Sequence, residues 1–175
     1  ASGSTVTADT KVALDGKTGV SGAGTVDASG AELDVDAASG AINLSGVVTA
    51  KDADFTAADG QAVTVNNENN DFTGNVTAKG SAVTLKDADG IALGNVTAKG
   101  GDVRVDTVAG DITVNAGAKV QSETAEVALA AKNAVAVNGT VDAKTTATLT
   151  ATDAAVTLAS GSTVTADTKV ALDGK

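Results

Sequence analysis

The stretch NVTAKGSAVTLKDADGIALGNVTA, residues 75–98, contains the phrase NVTA twice, with a displacement of 20 residues. Between the two copies, the apolar pairs Val83/Leu85 and Ile91/Leu93 are each split by one polar or small residue. Apolar residues that alternate in this way are typical of a β-strand with one buried face. The stretch therefore predicts three short strands within about twenty residues, followed by a return to the starting position.

The same phrase recurs along the whole chain, with intervals of 20, 22, 28, 20, 24, 21 and 23 residues that together cover 158 residues. Its valines are Val6, Val26, Val48, Val76, Val96, Val120, Val141 and Val164. Each valine and the small residue two positions later form a first pair, a second apolar pair follows every valine, and a third follows all of them except Val6 and Val164. The second pairs are Val12/Leu14, Leu33/Val35, Phe55/Ala57, Val83/Leu85, Val103/Val105, Val127/Leu129, Ala147/Leu149 and Val170/Leu172. The third pairs are Ile42/Leu44, Val63/Val65, Ile91/Leu93, Ile112/Val114, Val135/Val137 and Val156/Leu158.

A second, longer repeat contains the short ones. The seventeen residues ASGSTVTADTKVALDGK occupy positions 1–17 and return unchanged at 159–175. We interpret residues 1–175 as a single β-solenoid segment, in which 1–158 is one long repeat and 159–175 begins the next. Because solenoids usually end in atypical polar repeats and neither end of this sequence is atypical, we expect uncapped ends.

These patterns predict an all-β fold, a parallel β-solenoid with three short strands per coil and about seven coils of roughly 22 residues. A helical interpretation fails because Val and Thr are weak helix formers and the apolar spacing is two. A β-sandwich would not repeat six inward positions in one fixed order. Glycines at the corners are expected to supply positive φ. They are Gly40, Gly60, Gly90 and Gly110 before the third strand, and Gly24, Gly46, Gly74, Gly94 and Gly139 before the next valine.

The composition removes most of the groups used in catalysis. The chain has no His, Cys, Met, Trp, Tyr or Pro, and its formal net charge is −10 with a single arginine, Arg104. A glycosidase-type site needs carboxylates or an arginine converging on one face, and the outward second-strand positions offer only Asp34 and Arg104. We therefore expect no enzyme activity, no cofactor, no nucleic-acid partner and no membrane span.

Acidic residues of the "DADG" type at the coil corners are candidates for weak cation binding, because a bound Ca²⁺ would relieve repulsion between stacked carboxylates. These candidates are Asp59, Asp87 and Asp89. The competing interpretation is that they are solvated turn residues. A lysine ladder, Lys51, Lys79, Lys99 and Lys144 with Glu123 interrupting it, is expected to be a charged rim that prevents sideways pairing.

Four Asn-x-Ser/Thr sequons are candidate glycan acceptors if the protein is secreted, namely Asn43, Asn75, Asn95 and Asn138. The longest interval contains NNENNDFTG, residues 66–74, which we expect to leave the stack with Phe72 folded over the coils, either as a site of lateral contact or as a plain loop. Threonines beside the repeated valine suggest an ice-binding array, but their column is too irregular to form one.

The segment NNENNDFTGNVTAKGSAVTLKDADGIALGNVTAKGGDVRVDTVAGDITVNAG, residues 66–117, resembles the repeats of filamentous-haemagglutinin-type secreted adhesins. The phrases NDFTG, DADGIALG and GGDVRVDTVAGDITVNAG carry the resemblance. It implies a right-handed parallel β-helix that forms a long shaft outside the cell, at the bacterial surface. A right-handed winding is also the general rule for parallel crossovers.

Together these observations predict a structural segment of an extracellular filament or adhesin shaft, made of tandem 158-residue repeats. Its partners would be copies of itself stacked end to end, with lateral bundling as an open question. Two alternatives stay open: a discrete subunit that polymerises head to tail, and a solenoid that binds carbohydrate or ice.

Overall fold

The computed structural model describes residues 3–175, and this part of the chain contains 21 strands and no helix. The strands are β1 (Thr5–Thr7), β2 (Lys11–Gly16), β3 (Val20–Gly22), β4 (Thr25–Ala37), β5 (Ile42–Leu44), β6 (Val48–Ala57), β7 (Val63–Val65), β8 (Asp71–Phe72), β9 (Asn75–Gly80), β10 (Val83–Asp87), β11 (Ile91–Ala98), β12 (Val103–Thr107), β13 (Ile112–Val114), β14 (Lys119–Ser122), β15 (Val127–Ala131), β16 (Val135–Val137), β17 (Thr140–Ala143), β18 (Thr146–Ala151), β19 (Val156–Leu158), β20 (Thr163–Ala166) and β21 (Lys169–Asp173).

The strands wind into a parallel β-solenoid of about eight turns with about 21 residues per turn, which confirms the predicted fold class. Each coil runs through three sides. Side 1 is formed by β1, the first part of β4, the first part of β6, β8, the first part of β11, β13, β16 and β19. Side 2 is formed by β2, the second parts of β4 and β6, β9, the second part of β11, β14, β17 and β20. Side 3 is the eight-stranded sheet β3, β5, β7, β10, β12, β15, β18 and β21.

Alternation of apolar and polar residues places the core as expected. In β12, Val103 and Val105 are fully buried while Arg104 between them is exposed, and the same alternation holds in most strands of the stack. The buried side chains form one continuous cluster that runs from Val12 to Ala151 along the axis. Because almost all of them are aliphatic, cohesion between coils comes from stacked Val, Ile, Leu and Ala together with the backbone ladders.

The corner glycines fulfil a role different from the predicted one at most positions. Of the nine expected to adopt positive φ, only Gly60 and Gly110 do so. At Gly46, a Cβ atom would overlap the carbonyl oxygen of Gly24 in the preceding coil. Glycine is therefore required there because two backbones approach each other closely, which leaves no room for a side chain.

The prediction that the Asn-rich residues 66–74 form a loop outside the stack is wrong. Residues 71–72 form β8, which pairs with β6 through Thr49↔Asp71 and Ala50↔Phe72. The 28-residue interval between Val48 and Val76 thus contains an additional side-1 strand and spans one coil and one further strand. The two valines do not stack on each other, because Val76 pairs with Ala53 on side 2.

This additional strand shifts every later segment by one side. The second apolar pairs lie on side 2 at Val12/Leu14 and Leu33/Val35 but on side 3 from Val83/Leu85 onward. The third pairs move correspondingly from side 3 at Ile42/Leu44 to side 1 from Ile91/Leu93 onward. The described chain consequently contains about eight coils where the short repeats alone suggested about seven.

Candidate functional site

The most distinctive site of the described chain is the place where the register shifts, and its first component is the fully buried Asn70. The Asn70 Oδ1 accepts a hydrogen bond from the Val48 N–H at 2.9 Å, and its Nδ2 donates to the carbonyl oxygens of Val65 at 3.3 Å and Lys86 at 3.0 Å. The side chain thus binds backbone groups of β6, β7 and β10, which belong to two neighbouring coils. It satisfies polar groups that the interrupted strand ladder leaves without partners.

The second component is Asp87, which is also fully buried although it carries an ionisable group. Its Oδ2 accepts from the Phe72 N–H at 2.8 Å, and its Oδ1 accepts from the Asp89 N–H at 3.0 Å. Burial raises the pKa of Asp87 to about 6, against the two backbone hydrogen bonds that lower it, and the nearby charges of Asp71 and Asp89 raise it further. Asp87 therefore fixes β8 onto β10 at an electrostatic cost.

The third component is the pair of phenylalanines, the two aromatic residues of the chain. Phe55 and Phe72 are both buried, and their rings make an edge-to-face contact with centroids 6.0 Å apart and an interplanar angle of 79°. Phe72 lies beside Ala50 and Phe55 beside Ala78, so each ring meets an alanine in one neighbouring strand. The rings fill the volume that the additional strand creates.

We name Asn70, Asp87, Phe55 and Phe72 the register junction. The sequence singled out Phe72 and Asp87, but Phe72 was predicted in a lateral contact or plain loop, and Asp87 as either a weak cation ligand or a solvated turn residue. Sequence reasoning missed Asn70, which looks like any other residue of an Asn-rich run. The 28-residue interval was the available signal, since it exceeds the next longest by four residues.

The structure does not bring the three candidate cation ligands together. Asp59 lies at the corner between sides 2 and 3, whereas Asp87 and Asp89 lie at the corner between sides 3 and 1. The Asp59 carboxylate pairs with Lys99 at 2.8 Å, and this lysine lowers the pKa of Asp59. No group of three or more acidic residues within residues 3–175 has the geometry to hold a metal ion.

The charged columns predicted from the sequence are dispersed. Lys99 pairs with Asp59, and Lys144 pairs with Asp167 at 2.6 Å, so these lysines are neutralised individually and do not act as one basic ladder. Asp34 lies on side 2, where Lys11 contacts it at 3.1 Å. Arg104 lies on side 3, where it pairs with Asp102 at 2.9 Å and with Glu126. Asp34 and Arg104 therefore do not converge on one face.

All four candidate glycan acceptors are exposed, and they are Asn43, Asn75, Asn95 and Asn138. Two of them also make structural hydrogen bonds. The Asn95 Oδ1 accepts from the Lys119 N–H at 2.9 Å, and the Asn75 Oδ1 accepts from the Asn115 Nδ2 at 2.8 Å. Glycosylation of these sequons stays a prediction.

Polar side chains at other corners connect successive coils where the backbone ladder is interrupted. The Asp52 Oδ1 accepts from the Asn75 N–H at 2.8 Å, and the Asp111 Oδ1 accepts from the Ala134 N–H at 2.9 Å. Both bonds span 23 residues, about one coil. Many of the acidic residues thus serve as backbone acceptors between coils.

The outward side-3 positions do not repeat one residue type. In order along the axis they are Ser21, Asn43, Thr64, Thr84, Arg104, Ala128, Thr148 and Ala171. This sequence of side chains provides neither a regular threonine array nor an aromatic platform.

Comparisons with protein-family models, with curated proteins and with solved structures found no match to this chain. Residues 3–175 include no helix with the length and hydropathy needed to cross a membrane. The chain is therefore described by its fold, a parallel β-solenoid.

Proposed function

We propose that the chain is a structural segment of an extracellular filament or adhesin shaft, built from tandem 158-residue repeats stacked end to end. The observation that carries this proposal is the structure of the duplicated segment. Residues 163–173 continue the stack in the same parallel register, with Val141↔Val164 between β17 and β20 and Leu149↔Leu172 between β18 and β21. The start of a second long repeat is thus compatible with the solenoid formed by the first.

The mechanism of such a segment is mechanical. Backbone hydrogen bonds run along the axis from coil to coil, and the aliphatic core is continuous between them. At about 4.8 Å per coil, eight coils make a rod segment about 38 Å long. Because each coil contacts only its neighbours, added repeats extend the rod without changing its cross-section.

The test is electron microscopy of the material from its native source, combined with measurement of the axial repeat. We expect continuous filaments with about 4.8 Å between coils and about 35 Å per long repeat. Discrete particles of a single rod length would overturn the proposal.

A discrete subunit that polymerises head to tail is a second candidate, favoured by apolar exposure at both end coils. Val6 is 43% exposed at one end of the stack, and Leu172 is 47% exposed at the other. The mass after denaturation separates the two candidates. One very large polypeptide indicates covalent tandem repeats, whereas units near the 16.7 kDa of this chain indicate subunits.

A further inference from the structure

The two identical copies of the seventeen-residue segment occupy different sides of the solenoid. In the first copy, Val6 lies on side 1 and Val12 on side 2. In the second copy, the corresponding Val164 lies on side 2 and Val170 on side 3. The same sequence has therefore advanced by one side, and the 158-residue displacement corresponds to seven coils plus one strand.

We infer that successive long repeats stack with an offset of one side, and that the end coil, where one copy passes into the next, is the docking surface for the continuation of the next copy. This inference rests on the proposed tandem arrangement. The docking surface consists of Val156–Leu158, Thr163–Ala166 and Lys169–Asp173. Its occupant is the part of the next repeat that corresponds to residues 20–37.

The first copy already provides the template for this docking. There, β4 covers β1 and β2 with Val6↔Val26 and Val12↔Leu33 in register. Val12 is 3% exposed under this cover, whereas the identical Val170 is 42% exposed without it. An equivalent of β4 laid over β20 and β21 would bury Val170 and Leu172 through pairings that this sequence is already known to make.

The remaining side of the docking surface, side 1, is complementary in shape to the segment of the next copy that would cover it. After the residues equivalent to 1–17, the chain would continue with those equivalent to Val20–Gly22, which then lie on side 1 over Val156–Leu158. In the first coil, Val20 and Gly22 border an open, mainly apolar hollow of about 210 Å³ that Val6 and Leu14 also line. Leu158 is 44% exposed at the other end and would project toward this hollow. The small Gly22 thus faces a large apolar side chain.

The register junction is what produces the offset. With β8, the next NVTA phrase pairs with residues 53–56; without β8, it would pair with residues 48–50 and the long repeat would contain seven coils. With β8, an outward residue of one copy lies one side further on in the next copy. It returns to its original side after three copies, which together contain 22 coils. The shaft therefore has no unique face, and a lateral partner that recognises one face meets the same residues only at every third repeat.

Cysteine pairs in the single chain test the offset, because the natural sequence has no cysteine. Asp54 and Thr77 are opposite each other in the described register, whereas Thr49 and Thr77 would be opposite in a seven-coil register. Opposed residues on neighbouring strands are about 4.8 Å apart, within reach of a disulfide. The control pair is Thr97→Cys with Gln121→Cys, which both registers place opposite each other.

We expect the Asp54→Cys/Thr77→Cys variant to form the disulfide as completely as the control, while Thr49→Cys/Thr77→Cys stays reduced. The reverse result would overturn the offset without affecting the filament proposal, since the experiment uses one isolated chain.

In a chain of several repeats, gold labels on one cysteine per copy, introduced at Thr148, should return to the same face about every 106 Å. Labels on the same face at every repeat, about 35 Å apart, would overturn the inference, and the absence of filaments in native material would count only against the proposed function.

Discussion

At the scale of single residues, the solenoid depends on a few buried polar side chains in an aliphatic core. Every buried side-chain nitrogen or oxygen in residues 3–175 has a hydrogen-bond partner. Asn70 is the clearest case, because its amide group makes three hydrogen bonds to backbone groups. Ion pairs contribute less to the stability of the solenoid than these buried groups do, since the ion pairs lie at the surface where solvent screens them.

Replacement of Asn70 by alanine should strongly destabilise the chain. It removes the partners of the Val48 N–H and of the Val65 and Lys86 carbonyl oxygens, and an unsatisfied buried group costs about 1–3 kcal/mol. We expect a decrease of about 3 kcal/mol in the free energy of unfolding, measured by urea denaturation. The exposed neighbour provides the control, because Asn69→Ala should change stability by no more than about 0.5 kcal/mol. Equal effects of the two substitutions would contradict this role of Asn70.

The raised pKa of Asp87 predicts an unusual pH dependence. Its folded pKa of about 6 lies above the ordinary value of 3.8, so the folded chain binds this proton more tightly than the unfolded chain. Stability should therefore rise as the pH falls from 7 to 4.5, by about 2 kcal/mol from this group. The lowered pKa values of Asp27, Asp59, Asp142 and Asp153 act in the opposite direction, but only below this window.

Denaturation of the wild type and of Asp87→Asn at both pH values checks this expectation. The variant has a neutral side chain of nearly the same shape, so its stability should lack this increase. Parallel pH profiles for the two proteins would show that Asp87 is not the responsible group.

At the scale of strands and corners, the coil is held tight by close backbone contacts between neighbouring turns. Side 3 is a regular sheet of eight strands, whereas sides 1 and 2 merge in one sheet because β4, β6 and β11 run through their common corner. Glycine permits the contacts at the tight corners, as at Gly46 over Gly24.

Gly46→Ala should therefore destabilise the stack, because its Cβ atom would overlap the Gly24 carbonyl oxygen and push the two coils apart. Overpacking of this kind costs about 1–3 kcal/mol. The matched control is Gly30→Ala in β4, where no atom lies within 4 Å of the new Cβ atom and φ is not positive. We expect the control to be neutral or slightly stabilising in thermal denaturation. A control as damaging as Gly46→Ala would contradict the contact with Gly24 as the cause of the destabilisation.

Phe72→Ala tests the packing of the register junction. The ring is buried and contacts Phe55 edge to face, so its removal leaves a cavity beside Ala50. We expect a loss of about 3–5 kcal/mol in the free energy of unfolding, compared with at most about 1 kcal/mol for Val108→Ala, whose side chain is 46% exposed. If residues 66–74 were a loop outside the stack, the two substitutions would have similar effects.

At the scale of the whole molecule, stability should depend on what covers the end coils. Leu158, Val170 and Leu172 are 44%, 42% and 47% exposed on the last coil, although the same core column is buried throughout the middle of the stack. Coils in a solenoid stabilise one another only through their immediate neighbours. The end coils are therefore expected to open more readily than the central ones.

A chain of two tandem long repeats should protect the coil at which the first copy passes into the second. Hydrogen exchange of residues 163–173 is expected to slow by about 100-fold or more relative to the single chain, because strands of the next copy would cover β20 and β21. Residues 103–107 in the middle of the stack serve as the internal control and should not change. Unchanged exchange at residues 163–173 would contradict docking of the next copy at this surface.

The sequence by itself determined the strands, the inward positions and the solenoid class, because a period of two within a period of about twenty records which side chains avoid water. It also showed the 158-residue repeat. It did not determine on which side of the solenoid each repeat begins. Residues 66–74 contain the short strand β8 within an Asn-rich run, and a two-residue strand has no periodicity to detect. Only the tertiary structure decided this register, since the bonds of Asn70 to the backbone of β6, β7 and β10 and the contact of Phe72 with Phe55 exist only after the coils have stacked.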